Sequence, residues 1–208
     1  MPPTDRFVIS YAAEPPQEPL PYGRWADTLG GHFRGAVRDL DTDGEDIGEL
    51  DTEIAWFPDR TYAGRTYIPA VARTGGGYEV LGFVSFAEGS HGPSDFHAQV
   101  DFTTDLAESN PEWKLDLSDE MIGTWRGEQG NAAAMRLVWG VSLVPGGAVV
   151  TAELANLAVD QCALVEERFT LIAPDDYRGD VLEIKLWDKG GEELAVESLY
   201  VEDDEEED

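Results

Sequence analysis

One cysteine, three histidines and three lysines are all that this chain of 208 residues holds of the side chains that most often carry thiol, imidazole and amine chemistry. With Cys162 as the single thiol, no intramolecular disulfide can form, and nothing in the sequence calls for an oxidising compartment. The first ten residues carry Asp5 and Arg6 but no apolar core and no small-residue cleavage site. A secretory leader is therefore not expected, and a cytoplasmic location is. No stretch of about 18 apolar residues occurs, which excludes a spanning helix. Common catalytic fingerprints are missing too: there is no Gly-x-Ser-x-Gly elbow, no Gly-x-Gly-x-x-Gly or Gly-x-x-x-x-Gly-Lys phosphate loop, and no Cys-x-x-Cys pair.

Positive charge is the next shortage. Fourteen Lys and Arg stand against 43 Asp and Glu, a formal charge of -29 with a pI near 4.1. That balance repels phosphate backbones and anionic lipid, so neither direct nucleic-acid binding nor attachment to a membrane surface is expected. Three explanations fit the acidity. A carboxylate-rich, lysine-poor surface stays hydrated in a salt-loaded cytoplasm, where repulsion is screened over about 3 Å at 1 M. A GC-rich genome favours Arg over Lys, which accounts for the missing lysine but not for the charge. Imitation of DNA would make the protein an acidic inhibitor of a DNA-binding partner, although its acids are spread over many short strands and form no evident helical rail.

Apolar and aromatic residues, at 42% and 10%, exclude disorder despite the charge. The chain reads as two small units. Residues 1–24, with Pro15, Pro16, Pro19 and Pro21, are expected to form a stiff extended arm that includes an edge strand at Phe7–Ala12. Residues 25–109 form a first β unit with strands at His32–Arg38, Thr52–Phe57, Tyr67–Arg73, Tyr78–Phe86 and Phe96–Thr103, two of them joined through Gly75, Gly76 and Gly77. In Phe96–Phe102 the inward set is Phe96, Ala98, Val100 and Phe102. Residues 110–120 read as a linker, or an edge strand at Trp113–Ser118.

A second β unit spans 121–201. Met135, Leu137, Trp139, Val141 and Leu143 alternate with Arg136, Val138, Gly140 and Ser142, the period of two of a half-buried strand. Similar patterns recur at Val150–Leu154, Val165–Leu171, Leu182–Leu186 and Leu194–Tyr200, with turns at Pro145–Gly147 and Lys189–Gly191. Residues 202–208 are an acidic run, expected to be a solvated tail. The fold expected is all-β: two antiparallel sandwich or barrel-like units. Gly31-His32-Phe33-Arg34-Gly35 and Gly123-Thr124-Trp125-Arg126-Gly127 share a Gly-x-aromatic-Arg-Gly pattern, which suggests an internal duplication with Arg34 and Arg126 in matching places. The second copy resembles the Gly-x-Trp signature of lipocalin-like barrels. Too few residues follow it for the eight strands that such barrels close.

The most specific local signal is Asp39-Leu40-Asp41-Thr42-Asp43-Gly44. Alternate carboxylates followed by a turn glycine suit calcium, which takes six to eight hard oxygens. The run resembles the first half of an EF-hand or dockerin-type loop, and the resemblance implies Asp39, Asp41 and Asp43 as ligands and Glu45 as a carbonyl donor. The pattern then fails, with Asp46 where an apolar residue belongs and Leu50 where an acid does, and no helix is expected on either side. A solvated acidic loop is the competing reading. His91 and His97 could approach one another, but their spacing matches no ligand set, and Cys162 reads as a buried, inert thiol.

Six tryptophans are many for this length. Trp187 falls on the face opposite Leu182, Ile184 and Leu186, so it is expected to be exposed or at an interface. The function expected is non-enzymatic: an interaction or assembly component that docks on a protein partner through the arm and exposed aromatics, with homo-oligomers allowed. The alternatives are a barrel whose cavity, lined by Met135, Leu137 and Phe169, holds a small apolar ligand, or an enzyme built there around Arg126, Arg136 or His97. No cofactor other than calcium is suggested.

Overall fold

The computed structural model describes residues 20–126, 132–175 and 180–199. The body of the arm (residues 1–19), the acidic tail and the segments 127–131 and 176–179 lie outside them. The described residues open with one helix, α1 (Gly23–Asp39), where a strand was expected at His32–Arg38. Its cause is a four-residue repeat: Trp25, Leu29, Phe33 and Val37 put one apolar stripe on one side of a 3.6-residue helix. Leu29 and Phe33 are fully buried by it. The signals that usually announce a helix are absent. Tyr22, at the N-cap, makes no side-chain hydrogen bond, and no acid occupies the first turn.

Twelve strands follow among the described residues, in three antiparallel sheets. In the first sheet, β3 (Arg65–Arg73), β4 (Glu79–Gly89) and β5 (Gly92–Thr103) pair in order. Two short strands, β1 (Ala55–Trp56) and β2 (Arg60–Tyr62), share the other edge of β3. A 3-10 turn at Ala107–Ser109 leads to the second sheet, formed by β6 (Leu115–Arg126), β7 (Ala132–Ser142) and β10 (Arg168–Asp175), with β7 in the middle. The third holds β8 (Gly147–Leu154), β9 (Leu157–Ala163), β11 (Glu183–Asp188) and β12 (Glu193–Ser198), ordered β12-β11-β8-β9. No sheet closes on itself, so the barrel expectation gives way to stacked open sheets. The stretch expected as a linker runs into β6 at Leu115, and β9 was not foreseen.

Side-chain direction makes the stack four layers deep. Ile68, Ala70, Val80, Val84 and Phe86 point from the first sheet to Leu29 and Phe33 of α1. Tyr67 and Phe83, on its other face, meet Met135, Leu137, Trp139 and Ile172 of the second sheet. The second sheet turns Val138, Phe169 and Leu171 toward Val150, Ile184 and Leu186 of the third. It is thus covered on both faces, and β7 is no half-buried strand: Leu137, Val138 and Trp139 are all buried. Gly140 belongs to this crowding, because a Cβ there would collide with the Asp116 carbonyl and press on Phe169. The turn at Pro145–Gly147 carries the chain from the second sheet to the third. Gly75–Gly77 and Lys189–Gly191 do close hairpins, β3–β4 and β11–β12.

The first copy of the Gly-x-aromatic-Arg-Gly pattern is helical and the second begins in strand β6, so the two take different backbones. No helix among the described residues is long and apolar enough to cross a membrane.

Candidate functional site

The first turn of α1 overhangs one end of the first sheet and leaves an open groove of about 460 Å³. That volume is in the range of small-ligand and peptide-anchor pockets. Trp25 forms its wall on the helix side. The ring meets Phe86 edge-on at 5.3 Å and 85°, and lies 6.1 Å from Phe96. Phe96 in turn carries His32 stacked at 4.5 Å. Ile68 and Thr66 of β3 form the floor, Pro93 of β5 the far side, and Pro21 and Tyr22 the lip, with Tyr22 76% exposed. Charge is placed at the rim: Asp59 and Glu88 on the sheet side, Arg24 on the helix.

Local geometry holds these walls still. Arg65 grips Asp95 through both guanidinium NH2 groups, donating to its carboxylate at 3.0 and 3.2 Å and to its carbonyl at 2.8 and 2.9 Å, which pins the start of β5 beside the groove. The Thr66 hydroxyl is engaged with that of Thr61 at 2.9 Å. No histidine, cysteine, serine or lysine lines the groove. Aromatic walls with charge at the rim give the groove the make-up of a small-ligand or peptide-anchor pocket.

The residues singled out from sequence are not brought together. Trp187 is half-buried on the outer face of the third sheet, where its indole N–H donates to Thr151 Oγ1 at 2.8 Å. Thr151 passes the chain on to Glu153 Oε1 at 3.0 Å, and Lys185 bridges Glu153 and Glu183 at 3.0 and 3.3 Å. Trp187 is thus fastened at its indole N–H into a polar chain, with the side chain partly exposed on the outer face. Arg34 folds its guanidinium over Gly30 on the outward side of α1, and Arg126 is exposed at the end of β6. Met135 and Leu137 fill the core between the first two sheets while Phe169 fills the next, so they line no common cavity. His97 is exposed on β5, and Arg136 of β7 is bonded to Asp119 at 2.8 Å and paired with Asp175.

The acidic run begins at the last residue of α1, so a helix does precede it, but none follows. Asp43 N–H donates to Asp41 Oδ1, Thr42 Oγ1 donates to the Glu45 carbonyl at 2.6 Å, and Asp43 and Gly44 turn the chain through positive φ. The Glu45 carbonyl is thereby engaged, and the Glu45 carboxylate accepts the Tyr78 hydroxyl, whose pKa this bond raises. Beyond the turn, Ile47 is buried and its carbonyl accepts Gly76 N–H, which straps the segment to the β3–β4 hairpin. Among the described residues, no three His, Cys, Asp or Glu side chains converge as a metal-binding group.

The strongest electrostatic feature is internal. Arg60 of β2 is 2% exposed; it donates to the Gln161 carbonyl at 2.6 Å, and its Nε lies 3.5 Å from Asp160 Oδ2. That carboxylate also accepts Ile172 N–H at 2.9 Å and Gln161 N–H at 2.8 Å. Asp160 thus caps the free edge of β10, and Arg60 ties the first sheet to the same point, so three sheets meet at one carboxylate. Burial pushes the Asp160 pKa up, and Arg60 and the two N–H donors offset part of the rise. Beside it, burial raises the pKa of the Cys162 thiol, which disfavours the thiolate.

Neither sequence signal nor spacing pointed to the groove. Trp25, Phe86, Glu88 and Pro93 come from three elements, and the four-residue repeat beginning at Trp25 is the one signal that could have found it. Comparison of the chain with protein-family models, curated proteins and solved structures returned no match.

Proposed function

We propose that this protein is a non-enzymatic binding component and that the groove beside Trp25 seats an extended segment of a protein partner. The observation that carries this reading is the groove: an open trough with aromatic and proline walls, held by one helix and three strands. Flat rings presented at low entropic cost are what anchor side chains need. Extended, proline-containing segments suit aromatic-lined troughs, since their ordering entropy is already small. The rim charges would set direction and register more than affinity.

The test uses labelled proline-rich decapeptides with a central leucine, in acidic, neutral and basic versions, read by fluorescence anisotropy and by backbone amide shifts. Binding by at least one version, with shifts confined to residues 21–25, 66–68, 86–88 and 93, is the expected result. Trp25→Ala should weaken it tenfold or more, and Trp187→Phe should leave it unchanged. Binding that ignores Trp25→Ala, or no binding by any version, overturns the reading.

A further inference from the structure

The outward side of α1 raises a question that the groove does not answer. With Leu29 and Phe33 facing the core, Arg24, Asp27, Thr28, Gly31 and Arg38 are exposed and Gly35 is half-exposed along the opposite side. Glycine weakens a helix, yet nothing within the protomer requires it at two of these places. A Cβ on Gly31 would meet nothing within 4 Å, and one on Gly35 would meet only the mobile end of Arg38 at 3.7 Å. Arg24 borders the groove, but the charges of Arg34 and Arg38 are equally unexplained. Arg60, Arg65, Arg73, Arg136, Arg168 and Lys185 are all paired with carboxylates. Among the described residues six Lys and Arg side chains form no salt bridge, and three of them, Arg24, Arg34 and Arg38, lie on this one helix, in a chain whose net charge is -29.

We propose that this face is a self-association surface on which a second copy of the chain docks with its α1 antiparallel. Charge decides both the occupant and the direction. Two copies of an acidic protein repel over most of their surfaces, and a helix carrying three arginines against Asp27 and Asp39 is where they approach at least cost. A helix rises about 1.5 Å per residue, so an antiparallel seam centred on Phe33 sets Gly31 opposite Gly35 of the second copy. The same seam places Asp27 within about 2 Å, along the axis, of the level of Arg38 of the second copy. Both lie to the same side of the glycine strip, and the two-fold axis makes each contact twice. Parallel docking would set each charge against its own kind. The glycine strip lets the backbones approach closely enough for these short-range pairs to form. The seam also leaves the two grooves at opposite ends of a 17-residue helix, about 25 Å long, as a bivalent surface.

Sedimentation velocity on the full chain in 0.15 M potassium chloride tests this. Wild type should be dimeric at tens of micromolar. Asp27→Arg and Arg38→Asp should each raise the dimer dissociation constant tenfold or more, and the double variant should return it to within about threefold of wild type. Asp27→Arg also lowers the net negative charge, so its weaker dimer cannot come from bulk repulsion. Gly31→Leu/Gly35→Leu should be monomeric with its thermal transition retained. A monomer at every concentration, a dimer indifferent to the glycine substitutions, or a double variant no tighter than the singles overturns the proposal.

Discussion

The Arg60–Asp160 pair allows a quantitative test of how the layers are held together. Asp160→Asn keeps the shape and one acceptor oxygen, but removes the charge that balances a guanidinium only 2% exposed and leaves either Ile172 or Gln161 N–H short of a partner. Removing one member of a buried pair costs about 3–5 kcal/mol, because the remaining charge is stranded away from water. In a protein of this size each kcal/mol lowers Tm by about 2–4 °C, so a fall on the order of 10 °C is expected. Arg60→Met should cost a similar amount by stranding the carboxylate. The double variant should lie well above the sum, since replacing both charges with neutral groups is often close to neutral. Urea unfolding of all four proteins at pH 7 and fixed ionic strength gives the coupling energy directly. Additivity within about 0.5 kcal/mol would refute the reasoning, because it would mean that water already screens both charges.

Two further predictions follow from the acids. Burial raises the pKa values of Glu79, Asp116, Asp119 and Asp160 above their ordinary ranges, with Arg73, Arg136 and Arg60 as partial offsets. A carboxyl group whose folded pKa is raised favours folding below its unfolded pKa, and that contribution is lost as pH rises through the folded value. Tm should therefore increase as pH falls from 7 toward 5 at constant ionic strength, and a steady decrease over that window would refute the assignment. Wild type and Asp41→Ala should gain equally from millimolar calcium relative to chelator at high constant salt, since Thr42 and Tyr78 already engage the oxygens of Glu45. A gain in wild type alone would show that the loop rearranges to bind the ion.

Much of the β architecture was legible because a strand's side chains alternate, and alternation survives in one sequence. The strand through Met135–Val141 and the inward set Phe96, Ala98, Val100 and Phe102 could be read this way, while Tyr67–Arg73 and Tyr78–Phe86 were legible from β-branched and aromatic residues bounded by turns. The burial of Cys162 was equally readable, since an isolated thiol with no histidine beside it packs as a small hydrophobe. Helix α1 was misread because Gly30, Gly31 and Gly35 interrupt it and no capping residue precedes it, so the repeat of Trp25, Leu29, Phe33 and Val37 had no boundary signal to support it.

Other properties were decided only by the tertiary structure. Which sheet covers Val138, whose carboxylate meets Arg60 and where Trp25 meets Phe86 are contacts between residues far apart in sequence, and local periodicity records only that a face is apolar, never what it will face. Composition determined that the chain would fold and carry a strong negative charge, because both are sums over residues and independent of their partners. The groove and the three-sheet junction at Asp160 are relations between elements. They arise only when the layers stack, because packing is what brings distant side chains within the few ångströms over which they interact.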